Sequence, residues 1–233
     1  MLFGQDAIRR LQQARVAVFG VGGVGGHAVE VIARSGVGSI TLVDNDTVNI
    51  TNLNRQIVAL HSTIGQYKVD VMAQRILDIN PECKVHTFKM FYLPENADEI
   101  CLTGYDYVVD CIDTVAAKIE LIRRCKEAGI PVISSLGAAN KIDSTAFKVT
   151  DLSKTHTDPL AKAIRSKLRS MGINHVKVVF SSEKPIKPAE YLQTEQPQAS
   201  RRIIPASNAF VPPAAGIAIG AEVVKDLIAQ TNE

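Results

Sequence analysis

Two segments about thirty residues apart carry the side chains best suited to chemistry. The first runs Val16-Ala-Val-Phe-Gly20-Val-Gly22-Gly23-Val-Gly25-Gly26. The second runs Leu42-Val-Asp44-Asn-Asp46-Thr-Val-Asn-Ile-Thr-Asn52-Leu-Asn54-Arg55-Gln56, with Lys68 further on. Gly20, Gly22, Gly23 and Gly25 form a loop between a strand and a helix. Glycines there let the backbone approach a phosphate, whose charge the free N–H groups and helix dipole favour. From this motif alone NAD fits as well, and a tight turn with no ligand is the competing reading. Asp44 ends the second strand, where an acid accepts hydrogen bonds from ribose hydroxyls. A loop or helix-capping acid is the plainer reading, and Asp46 suits the cap as well.

Asn52, Arg55 and Lys68 add an amide, a guanidinium and an ammonium that could follow a triphosphate. Arginine binds phosphate oxygens through two parallel N–H bonds, and lysine acts as a point charge. A dinucleotide needs fewer cations, so the set favours ATP-dependent adenylation of a carboxylate over a dehydrogenase. Solvated surface positions for Arg55 and Lys68 are the competing reading. Asp113 ends an apolar strand at the carboxyl edge where open α/β sheets bind ligands. Facing phosphates, it would hold Mg²⁺; otherwise it caps the following helix.

These groups need a scaffold. The spacing predicts a helix over 5–14 with Ile8 and Leu11 on one face, a strand over 15–20, a helix over 24–35 and a strand over 39–44. That unit implies a parallel, right-handed crossover. A helix over 66–79 follows, stopped by Asn80-Pro81, then a strand over 84–88 and a short helix over 94–102. An apolar strand over 105–112, a helix over 116–128 and a strand over 132–135 complete the alternation. The fold class expected is α/β, a doubly wound, mostly parallel Rossmann-like sheet with a C-terminal extension of mixed strands and helices. Residues 1–140 are expected to form the ATP-binding core, and residues 141–233 to complete the same domain, with strands at 147–150 and 176–181, a helix over 158–171, a mobile loop over 189–202 and a last helix over 212–229.

The 233-residue chain is 46% hydrophobic with a formal net charge of +2, which suits one large domain and says little about partners. No stretch approaches the roughly eighteen uncharged apolar residues of a membrane span, so none is expected. No basic-then-apolar leader opens the chain. Cys83, Cys101, Cys111 and Cys125 never form Cys-x-x-Cys, which fits a reducing cytoplasm and gives no support to a structural zinc. Lysines 154, 162, 167, 177, 184 and 187 with arginines 165 and 169 make a basic run opposed by Asp158 and Glu183. It could track a phosphate backbone or be a solvated helix face. With only Phe180 among them, stacking of single-stranded bases has little support.

Taken together, Gly-Val-Gly-Gly-Val-Gly, Val-Asp-x-Asp-Thr-Val, Thr-Asn-Leu-Asn-Arg-Gln, Gly65-Gln-Tyr-Lys68 and Cys-Ile-Asp113 resemble the adenylation domain of E1-like, ThiF/MoeB-type activating enzymes. Within that superfamily the chain is most similar to the tRNA threonylcarbamoyladenosine dehydratases. Ile133-Ser-Ser-Leu-Gly-Ala-Ala-Asn140, Val149-Thr-Asp-Leu-Ser-Lys-Thr155, Asp158-Pro-Leu-Ala161 and Val179-Phe-Ser-Ser-Glu-Lys-Pro185 carry the likeness. The resemblance implies ATP and Mg²⁺ as cofactors. Gly20, Gly22, Gly23 and Gly25 would line the nucleotide loop and Asp44 would hold the ribose. Asn52, Arg55 and Lys68 would contact the phosphates, and Asp113 would hold the metal.

The implied substrate is tRNA bearing threonylcarbamoyladenosine, whose carboxylate is adenylated and then closed into a ring. A homodimer is implied as well, and a sulfur-relay protein partner is compatible with the family. Adenylation of a ubiquitin-like or sulfur-carrier C-terminus is the alternative. The absent Cys-x-x-Cys pairs, and the lack of cysteine over 140–205, weigh against it. Relatives carry an arginine ahead of the first helix that reaches the partner subunit's ATP. It has no counterpart here, so the expectation is a truncated start, a substitute among Arg9, Arg10 and Arg15, or low activity.

Overall fold

The computed structural model describes residues 2–186 and 206–229, so the loop expected over 189–202, and Lys187, lie outside the described residues. Helix α1 (Gly4–Gln13) leads into β1 (Arg15–Phe19), α2 (Gly25–Arg34) and β2 (Ser39–Val43). Then come α3 (Lys68–Ile79), β3 (Lys84–Phe88), β4 (Tyr107–Asp110), α4 (Val115–Glu127) and β5 (Val132–Ser135). β6 (Phe147–Asp151), α5 (Pro159–Ser170), β7 (Lys177–Ser181) and α6 (Val211–Ala229) complete it.

β1, β2, β4 and β5 are almost wholly buried, as strands covered on both faces must be. All seven strands form one sheet in the order β3-β2-β1-β4-β5-β7-β6. Every pair is parallel except β6 with β7. Strand order reverses between β1 and β4, and that switch point opens a crevice at their carboxyl ends. On one face Val16, Val18, Ile40 and Leu42 pack with Ala28 and Ile32 of α2, Met72 and Ile76 of α3, and Ile219 and Val223 of α6. On the other, Phe19, Val108 and Val132 meet Ala117 and Leu121 of α4. Among the described residues no helix is long and apolar enough to cross a membrane.

Two expected elements differ. Residues 94–102 do not form an α-helix; Pro94–Glu99 and Leu102–Gly104 are separate 3-10 turns. The buried anchors Ala97 and Ile100 stand three apart, a spacing that suits three residues per turn. The strand expected over 105–112 is ladder-paired only over Tyr107–Asp110. Asp110 Oδ1 accepts the Ile112 N–H at 3.1 Å, so the side chain bends the backbone out of the sheet. The other elements fall within two residues of expectation.

The basic run also divides. Lys177 Nζ on β7 donates to Glu222 Oε1 (2.8 Å) and Asp226 Oδ2 (2.7 Å) of α6. Arg165 donates to the Thr155 carbonyl (3.0 Å) and hydroxyl (2.6 Å). Both cations serve the fold. Burial alone would push the Glu222 carboxyl up, but Lys177 and Lys225 outweigh it and hold it below the usual range. Glu30 is likewise pushed up by burial, yet Arg75 and Arg34 hold it low. A carboxylate with a depressed folded pKa stabilises the fold above its unfolded value of 4.5, and that contribution is lost as pH falls through the folded value. Urea midpoints are therefore expected to drop as pH falls below about 4.5, and Glu222→Gln should flatten that slope. An unchanged slope in the variant would remove Glu222 from the account.

Candidate active site

A cleft of about 580 Å³ lies over the switch point, at the carboxyl ends of β1, β2, β4 and β5. Gly20, Gly22 and Gly23 form its floor. Gly20 has φ +90°, and a Cβ there would fall 2.5 Å from the Cys111 carbonyl oxygen, so only glycine lets β4's end press on this loop. No side chain caps the N-terminus of α2, so its positive end faces the cleft, although the Gly26 N–H is already taken by the Gly22 carbonyl at 3.0 Å. Gly25 departs from expectation. It is buried in the first turn of α2 and does not line the cleft.

Asp44 accepts the Val21 N–H on Oδ2 (2.7 Å) and the Asp46 N–H on Oδ1 (2.8 Å). It therefore braces the glycine loop. A carboxylate has about four lone-pair sites, so two remain for hydroxyl donors. The helix-cap reading fails for both acids: Tyr67 is the N-cap of α3 and no side chain bonds there. Asp46 instead pairs with Lys68 at 2.7 Å. The Lys68 side chain is 6% exposed, which removes the solvated-surface reading.

Asn52 is buried, and its Oδ1 accepts the Asn49 N–H at 3.0 Å, fixing its turn. Arg55 is half-buried and donates to the Thr51 carbonyl and Asn54 Oδ1, each at 2.9 Å. Asn54 in turn donates to the Ser207 carbonyl at 3.1 Å, tying this segment to the start of α6. Asp113 is exposed at the cleft and makes no side-chain hydrogen bond among the described residues. The N-cap of α4 is Thr114, so Asp113 is not the cap.

The far wall is Ser135 to Ala139 with Leu160 and Ser207. Asp158 Oδ2 accepts the Gly137 N–H (3.1 Å), and the Lys141 ammonium donates to the Gly137 carbonyl (2.5 Å). Burial pushes the Lys141 pKa down, against the pull of Asp158 and Glu183. Among the described residues, the buried polar side-chain atoms without a partner are Gln56 Oε1 and Ser207 Oγ. Both residues line the cleft, where a ligand's polar groups can complete them. The sequence pattern assigns Gln56 no role, and its place directly after Arg55 in the motif is the one signal for it. Cys111 also lines the cleft, but burial pushes its thiol far above the usual range and leaves it a poor nucleophile.

No group of three or more His, Cys, Asp or Glu able to hold a metal exists among the described residues. A single open carboxylate such as Asp113 does suit Mg²⁺, which keeps several waters and is held by one or two carboxylates and substrate phosphates.

Brought together, the crevice holds more cationic and amide groups than a pyrophosphate bridge calls for. The class that this fold and crevice define is a nucleotide-activating protein on a Rossmann-like sheet. The chain belongs to the ThiF family, whose model matches residues 1–230. It is 51% identical over 234 residues to the tRNA threonylcarbamoyladenosine dehydratase of Bacillus subtilis (strain 168), covering 98% of this chain and 92% of that one. The E. coli dehydratase TcdA solved in complex with ATP matches with a TM-score of 0.87 at 38% identity, over 98% of this chain and 91% of the other. The same enzyme in complex with AMP matches with a TM-score of 0.85, at the same identity and coverage.

Proposed function

We propose that the chain dehydrates N6-threonylcarbamoyladenosine in tRNA by ATP-dependent adenylation. The likeness to the Bacillus dehydratase over nearly the whole chain carries this reading. In the reaction a threonyl carboxylate oxygen attacks the α-phosphorus of ATP, and the bond to pyrophosphate breaks. The carbamoyl group of the same side chain then attacks the acyl carbon, and AMP leaves with the carboxylate oxygen. The net change on tRNA is loss of one water. Ring closure is intramolecular, so effective molarity replaces an enzyme nucleophile, consistent with the suppressed Cys111 thiol.

The chain's own residues divide the work. Gly20, Gly22 and Gly23 admit the phosphates to the α2 N-terminus, and Gly25 seats that helix. Asp44 accepts the ribose hydroxyls. Asn52, Arg55 and Lys68 bind phosphate oxygens and stabilise charge building on the leaving pyrophosphate. Asp113 would hold Mg²⁺, which when bound would neutralise phosphate charge. Residues 1–140 activate, while 141–233 complete the domain and the far wall for the modified nucleoside. The chain acts as a cytoplasmic homodimer, and a sulfur-relay protein is its candidate protein partner.

The tRNA backbone lies along the exposed cations left over from the basic run, Lys162, Lys167 and Arg169 on α5. Replacing these three by alanine is expected to weaken tRNA binding and reduce the salt slope by about two to three. Unchanged affinity and slope would make this helix a solvated face. The reading as a whole is tested by pyrophosphate release from ATP and Mg²⁺ with tRNA bearing the modified nucleoside, followed by nucleoside mass analysis. Release with a loss of about 18 Da supports it, since adenylation followed by intramolecular closure removes one water from the nucleoside overall. Release driven by a carrier protein instead would replace it.

A further inference from the structure

Close to Asp113, at the end of β4, lies a fully buried polar knot. Asp110, Lys118 and Ser134 are 0%, 1% and 0% exposed. Asp110 Oδ2 accepts from Lys118 Nζ (2.8 Å) and from the Ser134 hydroxyl (2.6 Å). Lys118 Nζ lies 3.3 Å from Ser134 Oγ. Asp110 Oδ1 accepts the N–H of Ile112, the residue before Asp113. Local rules favour none of this. Burying an ion pair costs desolvation that the pair only partly recovers. Lys118 also stands near the N-terminus of α4, the end where the helix dipole disfavours a cation. Apolar residues would fill the space at least as well. The sequence has nonetheless set three polar groups from β4, α4 and β5 around one carboxylate.

We infer that Asp110, clamped by Lys118 and Ser134, is a positioning residue that aims Asp113 at the Mg²⁺ of the bound nucleotide. With Oδ2 held by two donors, the carboxylate cannot turn, so Oδ1 stays under Ile112 N and fixes the Cys111–Asp113 turn. Asp113 has no side-chain bond of its own among the described residues, so the backbone turn sets where its Cα–Cβ bond starts and which way it leaves. The inference rests on the assignment of Asp113 to the metal.

Asparagine separates the two halves of this device. It offers one acceptor atom where aspartate offers two. In Asp110→Asn, either Ile112 N or the Lys118–Ser134 pair must face an amide NH₂. In Asp110→Asn/Lys118→Met the conflict is gone: Oδ1 can accept from Ile112 and Nδ2 can donate to Ser134. The experiment measures the Mg²⁺ concentration for half-maximal pyrophosphate release, Mn²⁺ binding to the nucleotide complex by electron paramagnetic resonance, and AMP affinity without metal. Asp110→Asn should raise the first and weaken the second about tenfold or more, as loss of a group orienting a metal ligand does, with AMP affinity moving less than about threefold.

The double variant should recover most of the metal affinity. A lowered melting temperature with unchanged metal affinity in Asp110→Asn would overturn the inference, as would a double variant no better than the single. If Asp110→Asn does not fold, Ser134→Ala keeps the charge pair and should still raise the Mg²⁺ requirement, by about threefold; an unchanged requirement there overturns the inference too. Asp113→Ala tests the underlying assignment separately. Unaltered Mn²⁺ binding in that variant would refute the metal role of Asp113 itself.

Discussion

Asp113→Ala and Arg55→Ala should each lower tRNA-dependent pyrophosphate release about a hundred- to a thousandfold with the fold intact, the scale on which single preorganised electrostatic contacts act. Asp113 is exposed and bonds to nothing among the described residues, so its removal leaves no buried group unsatisfied. Substitutions of that kind usually change stability by under about 0.5 kcal/mol. Excess Mg²⁺ should restore part of the Asp113→Ala rate, since the defect is metal affinity. Arg55→Ala should show no such rescue. Its guanidinium supplies a fixed fork that neither metal nor lysine reproduces. A coupled pyrophosphate assay beside circular dichroism decides both. Wild-type turnover in either variant would refute the role given to that residue.

Gly25→Ala should reduce turnover about a hundredfold and lower the melting temperature, although Gly25 does not line the cleft. A Cβ at this position would fall 1.8 Å from the Gly20 carbonyl oxygen and 2.9 Å from its carbonyl carbon. Both are backbone atoms and cannot swing aside. Helix α2 would have to lift off the loop by about an ångström, a misplacement that costs about a hundredfold even from outside the chemistry. Gly22 gives the contrast. A Cβ there meets only Gln56 Nε2, at 3.8 Å, so Gly22→Ala should keep the fold and report on how closely phosphate approaches the loop. Normal ATP titration and melting in Gly25→Ala would show that the seat of α2 is less constrained than this contact implies.

Much of the scaffold is legible in the sequence because each element states its own reason. Val16-Ala-Val-Phe is a continuous apolar run and becomes a strand covered on both faces. Asn80-Pro81 stops α3 where it should. The expected cleft residues Gly20, Gly22, Gly23, Asp44, Asn52, Arg55, Lys68 and Asp113 do meet around one cavity: the glycines, Asp44 and Asp113 sit at or just beyond strand carboxyl ends, and the long connection from β2 to α3 brings Asn52, Arg55 and Lys68 to the same edge. What escapes reading depends on pairs remote in sequence. Asp110, Lys118 and Ser134 come from three elements, and no one-dimensional period marks them as a group. Composition places Arg165 and Lys177 in a run that could track phosphate or face solvent, and only the folded chain shows the carbonyl and carboxylate partners that claim them. Asp46 was open to a capping role until Lys68, 22 positions later, turned out to be its partner.

The packing of α6 against the first strands sets a timetable for biosynthesis. Val16, Val18, Ile32 and Leu42 share one core with Ala215, Ile219, Val223 and Leu227. A ribosome delivers the first group long before the second. At about 5–20 residues per second the gap is on the order of ten to thirty seconds. Throughout that interval the opening β-α-β unit can form its ladder but cannot cover the apolar face that α6 later fills. Vectorial folding from the N-terminus is therefore incomplete until the last helix leaves the exit tunnel, and the nascent chain must be shielded or remain loosely collapsed until then. Arg10 closes the circuit by donating to the Ile228 carbonyl, a contact between α1 and α6 that only the finished chain can make.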